Sequence, residues 1–338
     1  MKAYILDRYG KGQALRLGEV PDPVPAADEV LVEIHATALN QLDGKIRDGA
    51  FKPILPYKPP FVLGHDLAGV VVAVGAAVRG FKPGDAVYAR PRDGHIGTFA
   101  ERVAVNQADL ALKPANLSMA EAASLPLVAL TVWQLLVERV QLKAGQKILI
   151  HAGSGGVGTL AIQLAKHLGA TVATTTSAAN ADLVRSLGAD VVINYRTQDF
   201  STMLSGYDVV LNSLDAKTLE ASLKVLRPGG KLISISGPPD PAFAKAQGLN
   251  SVLRLVLRLM SARIRSKAKR AGVDYAFLFM RADGGQLGEI AKLSEAGTLR
   301  PIIDRVFPFA ELNAAMTYVD SGRAKGKVVV SLRDEAAS

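Results

Sequence analysis

The chain has no cysteine. Disulfides, thiolate zinc sites, iron–sulfur clusters and a cysteine nucleophile are thereby excluded. The usual mark of an oxidising compartment is missing too. Aromatic residues make up only 6% of the 338, with a single tryptophan, Trp133. No apolar run reaches the roughly 18 residues that a spanning helix needs. The opening segment MKAYILDRYG lacks an apolar signal core, so the expected setting is cytoplasmic. Acid is absent from one long stretch. Between 241 and 273 there is no Asp or Glu, but there are eight basic residues: Lys245, Arg254, Arg258, Arg263, Arg265, Lys267, Lys269 and Arg270. The net charge is +9, so the rest of the chain carries 9 − 8 = +1. The basic character therefore belongs to one segment, which argues against a nucleic-acid-binding body.

What remains is ordinary globular composition, 49% hydrophobic and 21% charged. At about 100–200 residues per domain the length suggests two domains. The first 110 residues read as β-rich. EVLVEIHATAL, LAGVVVAVG, DAVYAR and FAERVAV are short, Val-rich and bounded by Gly, Pro and Asp. The Pro cluster Pro53–Pro60 marks a loop. From about Leu125 the texture changes, and helical patterns alternate with short apolar runs at Lys147–His151, Ala170–Thr175, Val191–Asn194, Asp208–Leu211, Lys231–Ser236 and Tyr275–Phe279. That alternation predicts a doubly wound parallel sheet with helices on both faces. After Ala282 come a helix, a strand, a helix and a last strand at Lys327–Leu332. This tail is too small to stand alone and is expected to return to the first domain. The expected boundaries are 1–124, 125–281 and 282–338.

The most informative stretch is KILIHAGSGGVGTLAIQLAKHLGA. A strand leads into Gly153-Ser154-Gly155-Gly156-Val157-Gly158, which fits G-x-G-x-x-G, and a helix follows. The first glycine allows the tight turn, the second lets backbone approach a pyrophosphate, and the third lets helix pack on strand. The helix N-terminus offers N–H groups and a positive dipole end to phosphate. An NAD-preferring fold carries Asp or Glu about 20 residues on. In its place stands Thr174-Thr175-Thr176-Ser177-Ala178-Ala179-Asn180, with no acid before Asp182. Hydroxyl and amide donors without carboxylate repulsion favour a 2′-phosphate, hence NADP. Ser177 also suits the cap of the next helix.

AGSGGVG at 152–158, LGHDLAGVVVAVG at 63–75, GDAVYA at 84–89, GTFAE at 97–101, ASLPLVALTVWQLL at 123–136, LGADVVINYR at 187–196 and GRAKGKVVV at 322–330 together resemble the zinc-free medium-chain dehydrogenase/reductases. The branch they resemble is that of quinone oxidoreductases and enoyl or alkenal reductases, over essentially the whole chain. The resemblance implies an α/β protein: a Rossmann domain inserted in a split, β-rich GroES-like catalytic domain, working as a homodimer. Asn40 stands where zinc-dependent relatives have a cysteine, and His65-Asp66 replaces their His-Glu pair. No metal site is therefore expected.

The same resemblance suggests site residues. Asn40 matches an asparagine near nicotinamide and substrate, although a turn-forming role after its strand is an alternative. Asp43, three residues on, either faces the cleft or orients Lys45 or Arg47. Tyr57, in the Pro-rich loop, is a candidate proton source or quinone-lining residue. For the cofactor, the turn at 153–158 is joined by Thr131, Ser177, Asn180, Tyr195, the pair Asn212 and Leu214, the pair Ser236 and Gly237, and Phe279, Met280 and Arg281. Most of these follow strand ends, where open α/β sheets bind ligands. Lys325 and Lys327 are read as reaching a phosphate, or as an ordinary basic loop. Asn180 departs from many NADP-using relatives, which have lysine there.

Leu253, Leu257, Met260 and Ile264 fall at helical spacing among the basic residues. They predict one amphipathic helix over Asn250–Arg270, suited to the cleft, a partner subunit or an anionic membrane surface. The leading expectation is an NADPH-dependent, zinc-independent oxidoreductase acting on a quinone or an α,β-unsaturated carbonyl. The alternative is a cofactor-binding regulatory or RNA-binding protein with weak catalysis.

Overall fold

The computed structural model describes residues 1–55 and 57–333. It divides into two compact units, Met1–Leu130 with Arg281–Ser338, and Thr131–Met280. The first switch falls inside the helix Pro126–Trp133, a few residues after the change of texture at Leu125. Leu127 explains why, since its backbone N–H donates to Asp66 Oδ1 at 2.7 Å and ties the start of that helix to the first unit.

The first unit opens with strands β1 (Lys2–Leu6), β2 (Arg16–Glu19), β3 (Glu29–Leu39), β4 (Phe61–Val62), β5 (Asp66–Val74), β6 (Ala86–Ala89), β7 (Arg102–Asn106) and β8 (Leu110–Leu112). β3 alternates: Val30, Val32, Ile34 and Ala36 point inward and are buried, while residues between them are half-buried. That period of two is what a strand with one core face requires. Its inward residues join Leu67, Val71, Val87, Val103 and Val105 in one core.

The second unit holds β9 (Lys147–Ile150), β10 (Thr171–Thr176), β11 (Val191–Asn194), β12 (Tyr207–Asn212), β13 (Leu226–Ser234) and β14 (Asp274–Phe277). They form a parallel sheet in the order β11-β10-β9-β12-β13-β14. This is the doubly wound order whose reversal point lies between β9 and β12. The chain then returns to the first unit with β15 (Ile303–Pro308) and β16 (Lys327–Ser331). β16 lies antiparallel to β3, giving the sheet order β15-β16-β3-β5-β6-β8.

The basic segment differs from its expected form. It is two helices, Ser251–Met260 and Ala262–Arg270, broken at Ser261. The buried Ser261 hydroxyl donates back to Leu257 O at 2.8 Å, and its ψ of −5° ends the first helix there.

At the end of β9 the imidazole of His151 is buried. Ser222 gives its one hydroxyl proton to Thr218 O (2.8 Å), so it accepts from His151 Nε2–H at 3.0 Å. Nδ1 is then the acceptor, facing Thr175 Oγ1 at 3.1 Å. Burial pushes the His151 pKa down to about 4. A histidine held neutral in the fold contributes stability that is complete above about pH 6.5 and is lost as pH falls toward the folded value. Unfolding free energy should therefore drop by up to about 3 kcal/mol between pH 6.5 and 4 from this residue. Urea titrations across that range check this, and His151→Gln should flatten the dependence.

Candidate functional site

In the second unit, the glycine turn joins β9 to the helix Gly156–His167. Ala152 enters it with φ at 53°, a left-handed conformation uncommon for a residue with a side chain. A Cβ on Gly153 would meet Thr174 Oγ1 at 2.0 Å, and one on Gly158 would meet Ala152 O at 2.3 Å. Both glycines are thus required by close packing of strand and helix. A Cβ on Gly155 would meet nothing nearer than Ala152 O at 3.4 Å, so its side faces open space. Gly155 is the N-cap and supplies no side-chain acceptor, which leaves the first N–H groups of a 12-residue helix for a ligand.

The end of β10 closes on this turn. Ser154 Oγ accepts from Thr176 Oγ1 at 3.0 Å and from Asn180 Nδ2 at 3.1 Å. Asn180 Oδ1 is buried without a partner among the described residues. Ser177 precedes a short turn, Ala178–Asn180. Tyr195 follows β11, its backbone N–H on Thr176 O at 3.2 Å, its ring exposed and beneath the Arg196 guanidinium. Arg185 is engaged by Asp182 at 3.1 Å. The sequence reading named Ser154, Ser177, Asn180 and Tyr195 separately. Thr176, read only as part of the hydroxyl-rich string 174–180, is the residue whose Oγ1 links β10 to the turn. Its signal was position, the last residue of a Thr-rich strand.

A second cluster sits at the carboxyl ends of β12 and β13. Asn212 Oδ1 accepts from Ser234 Oγ at 3.0 Å and lies 3.3 Å from Ser236 Oγ, while its Nδ2 is buried without a partner among the described residues. Ser236 Oγ also reaches Leu214 O at 2.6 Å, and Gly237 N–H donates to Ser234 Oγ at 2.8 Å. Phe279 packs against Phe243, and Met280 is buried. Thr131 is buried on its helix.

The other candidates belong to the β-rich unit. Register explains how they meet. Val328 pairs with Leu39 across β16 and β3, and Ala38 pairs with Asp66 across β3 and β5. Three neighbouring strands thus deliver Lys327, Asn40 and Asp66 to one level. Lys327 Nζ donates to Leu39 O at 2.9 Å, Asn40 Oδ1 at 2.5 Å and Asp66 Oδ2 at 3.1 Å. All three ammonium hydrogens are engaged, which corrects the reading of Lys327 as a phosphate-reaching loop lysine. Lys325, two residues earlier, is exposed. Asn40 Nδ2 donates to Asp66 Oδ2 at 2.9 Å and only weakly to Ala38 O at 3.4 Å.

Asp43 is also turned inward. Its Oδ2 accepts the Asn40 backbone N–H at 2.7 Å, and its Oδ1 lies 2.6 Å from His65 Nδ1. Neither Lys45 nor Arg47 is its partner, because Arg47 reaches Asp48 and Asp320 instead. His65 Nε2 is buried without a partner among the described residues. Tyr57 stands apart from this network. Its ring stacks on Phe61, its oxygen accepts Gly94 N–H at 3.1 Å, and burial pushes its pKa up to about 12. It therefore keeps its proton at neutral pH. Arg281 pairs with Asp283 at 3.2 Å.

No three His, Asp or Glu side chains converge as metal ligands among the described residues. The donor set around Asp66 includes an ammonium, which a divalent cation would have to expel against charge repulsion. These residues do not fit zinc. Removing the ammonium should be costly, because Asp66 and Asn40 Oδ1 would remain buried without it. Lys327→Met is expected to lower unfolding free energy by about 3–5 kcal/mol, read by urea denaturation.

Residues 26–115 match the family described as alcohol dehydrogenase GroES-like domain, and 187–330 match that described as zinc-binding dehydrogenase. A chloroplastic NADPH-dependent alkenal/one oxidoreductase of Arabidopsis thaliana is 36% identical, over 98% of this chain and 79% of its own length. The mitochondrial NAD(P)H oxidoreductase RTN4IP1 of Danio rerio is 33% identical, over 99% of this chain and 92% of its own. Among solved structures, the quinone oxidoreductase of Coxiella burnetii superposes with a TM-score of 0.86 at 30% identity, covering 98% of this chain and 99% of that one. A parallel sheet of order 3-2-1-4-5-6 with a glycine turn, a split β-rich unit completed by the tail, and this near full-length likeness agree: the chain belongs to the medium-chain dehydrogenase/reductase family, in the branch of quinone oxidoreductases and alkenal/one oxidoreductases.

Proposed function

We propose that the protein is an NADPH-dependent oxidoreductase that reduces a quinone or the double bond of an α,β-unsaturated carbonyl, without a metal. The observation that carries this reading is the glycine turn at 153–158 closed by Thr176 and Asn180, with hydroxyl and amide groups where an NAD-binding site places a carboxylate. The similarity to an NADPH-dependent alkenal/one oxidoreductase over 98% of the chain supports the same cofactor and substrate class.

The assignments follow from donor chemistry. The free N–H groups at the start of the helix Gly156–His167 hold the pyrophosphate, and Ser154, Ser177 and Asn180 surround the 2′-phosphate with Tyr195 beside them. Thr131, Asn212, Leu214, Ser236, Gly237, Phe279, Met280 and Arg281 are assigned to the remainder of the cofactor, with Lys325 as the exposed lysine of the tail. Bound NADPH supplies the hydride. Asn40 offers the substrate carbonyl its second amide hydrogen, the one held only at 3.4 Å by Ala38 O. Asp43 fixes the backbone of Asn40. Tyr57 carries the proton that balances the hydride, kept on the phenol by burial. The fixed cation beside Asn40 is the Lys327 ammonium, so polarisation of the carbonyl is assigned to hydrogen bonds and not to a Lewis acid.

No helix among the described residues is long and apolar enough to cross a membrane. We assign the protein to the cytoplasm. We assign it a homodimeric state through β14, which among the described residues pairs with β13 along one edge only. Its partners in this reading are the small electrophile and a second copy; the confinement of the net positive charge to one segment argues against nucleic acid.

The decisive measurement is steady-state oxidation of NADPH and NADH with a panel of quinones, enals and enones. Turnover with NADPH at a KM at least tenfold below that for NADH is expected, and no turnover with any acceptor at normal NADPH affinity would refute the reading. Ser177→Asp should raise the KM for NADPH more than tenfold with little effect on NADH, since a carboxylate would then oppose the 2′-phosphate. Asn180→Lys should tighten NADPH binding several-fold. Gly158→Ala should weaken both cofactors at least tenfold, because its Cβ would meet Ala152 O at 2.3 Å.

A further inference from the structure

The helix Ser251–Met260 carries more apolar surface than its own unit buries. A surface helix normally turns its apolar stripe to the core. In this one Leu257 alone is buried. Val252, Leu255, Val256, Leu259 and Met260 are 69%, 55%, 44%, 65% and 57% exposed. At about 100° per residue these five form one continuous arc of roughly 140°, bordered on the Leu255 side by Arg258. The next helix, Ala262–Arg270, buries Ile264 and Ala268 in the core of the sheet and turns charge outward. Arg263 and Lys267 pair with Glu220 at 2.8 and 2.5 Å. Arg254, Arg258, Arg265, Lys269 and Arg270 are exposed and make no ion pair among the described residues.

The patch is firmly mounted. Asp240, just before the helix Pro241–Ala246, accepts Phe243 N–H at 2.8 Å and Phe277 N–H at 3.0 Å. Phe243 packs edge-on against Phe277 and Phe279. Beside the patch Met260, Arg263 and Ile264 share a groove of about 510 Å³ with Leu219 and Pro238. The helix Pro241–Ala246 is thus fixed at the carboxyl edge of β14, the edge at which such sheets bind ligands, and the helix Ser251–Met260 that follows it is seated through the buried Leu257.

We propose that Ser251–Arg270 docks on an anionic lipid surface, with the apolar arc entering the headgroup boundary and the unpaired cations meeting the phosphates. Two other occupants fit less of what is there. A second copy, related by a two-fold axis, would bring the acid-free basic segment against its own image. A nucleic acid would use the cations and leave five large apolar side chains in water. This inference is independent of the catalytic reading.

The test uses the full-length protein and sedimentation with vesicles of phosphatidylcholine alone or with about one-third phosphatidylglycerol, at low and high salt. Binding is expected to the anionic vesicles only, and to weaken as salt rises. Leu255→Gln with Leu259→Gln should weaken it at least tenfold. Arg265→Gln with Lys269→Gln and Arg270→Gln should weaken it by about two orders of magnitude. Both variants change exposed positions and should oxidise NADPH with a water-soluble quinone as the parent does, so failure to dock and failure of catalysis are read separately. Absence of binding to anionic vesicles at low salt overturns the proposal. So does binding that the two leucine changes leave intact, or a fall from dimer to monomer in light scattering when they are made, which would assign the arc to a second copy. Tight binding of single-stranded RNA that survives the leucine changes, without vesicle binding, would assign the segment to nucleic acid and likewise overturn it.

Discussion

Much of the β-rich unit's chemistry depends on one buried ammonium. Lys327 has 6% of its side chain exposed and Asp66 has none, so their charges have no water to share. Such a pair is tolerated only when geometry and additional hydrogen bonds offset desolvation. Each of the three ammonium hydrogens has an acceptor, and Asp66 has donors on both oxygens, from Leu127 N–H on one and Asn40 and Lys327 on the other. Satisfied networks of this kind rigidify the groups within them. Asn40 is therefore held from its backbone by Asp43 and from its amide by Lys327 and Asp66. An asparagine at the end of a strand would otherwise be a flexible turn residue.

Strand register produces this arrangement. β3 carries Asn40 just past its end, β5 begins at Asp66, and β16 begins at Lys327. A slip of one residue in β16 would turn the ammonium to the other face of the sheet. The returning tail therefore does more than fill a sheet edge, since it supplies the ammonium on which Asn40 and Asp66 converge. The zinc-dependent pattern places ligands where this chain has Asn40, His65 and Asp66. The same strands thus support a hydrogen-bonded centre built on an internal cation.

The nucleotide-binding unit follows a different logic. Its turn is shaped by the contacts that Gly153 and Gly158 make, and its polarity by Ser154, Thr176 and Asn180. His151, one residue before Ala152, is buried as a neutral ring whose two nitrogens are both satisfied. The strained Ala152 is thereby pinned between a fixed side chain and a closely packed glycine, which keeps the turn shaped before any ligand arrives. In the same unit the basic segment breaks into two helices at Ser261, where a buried serine bonds back to its own helix. One helix serves the core of the sheet, and the other is left with its apolar arc outward.

The linear order of residues determined much of this. Period-two and helical patterns, punctuated by Gly and Pro, placed the parallel-sheet strands to within a few residues, and the glycine string with its flanking strand and helix located the phosphate turn. These are local properties, set by backbone sterics and side-chain periodicity over a few residues. Composition alone isolated the acid-free segment, but it could not reveal the break at Ser261, which depends on burial of one hydroxyl. Nor could it find the partners of Lys327, which lie 261 and 287 residues away in the chain. Lys327 read as a phosphate-reaching or basic-loop lysine, and Asp43 as facing the cleft or orienting Lys45 or Arg47, because sequence neighbours were the only neighbours visible. Tertiary structure alone decided those pairings, since the register of β16, β3 and β5 sets which charges meet and burial makes each pairing obligatory.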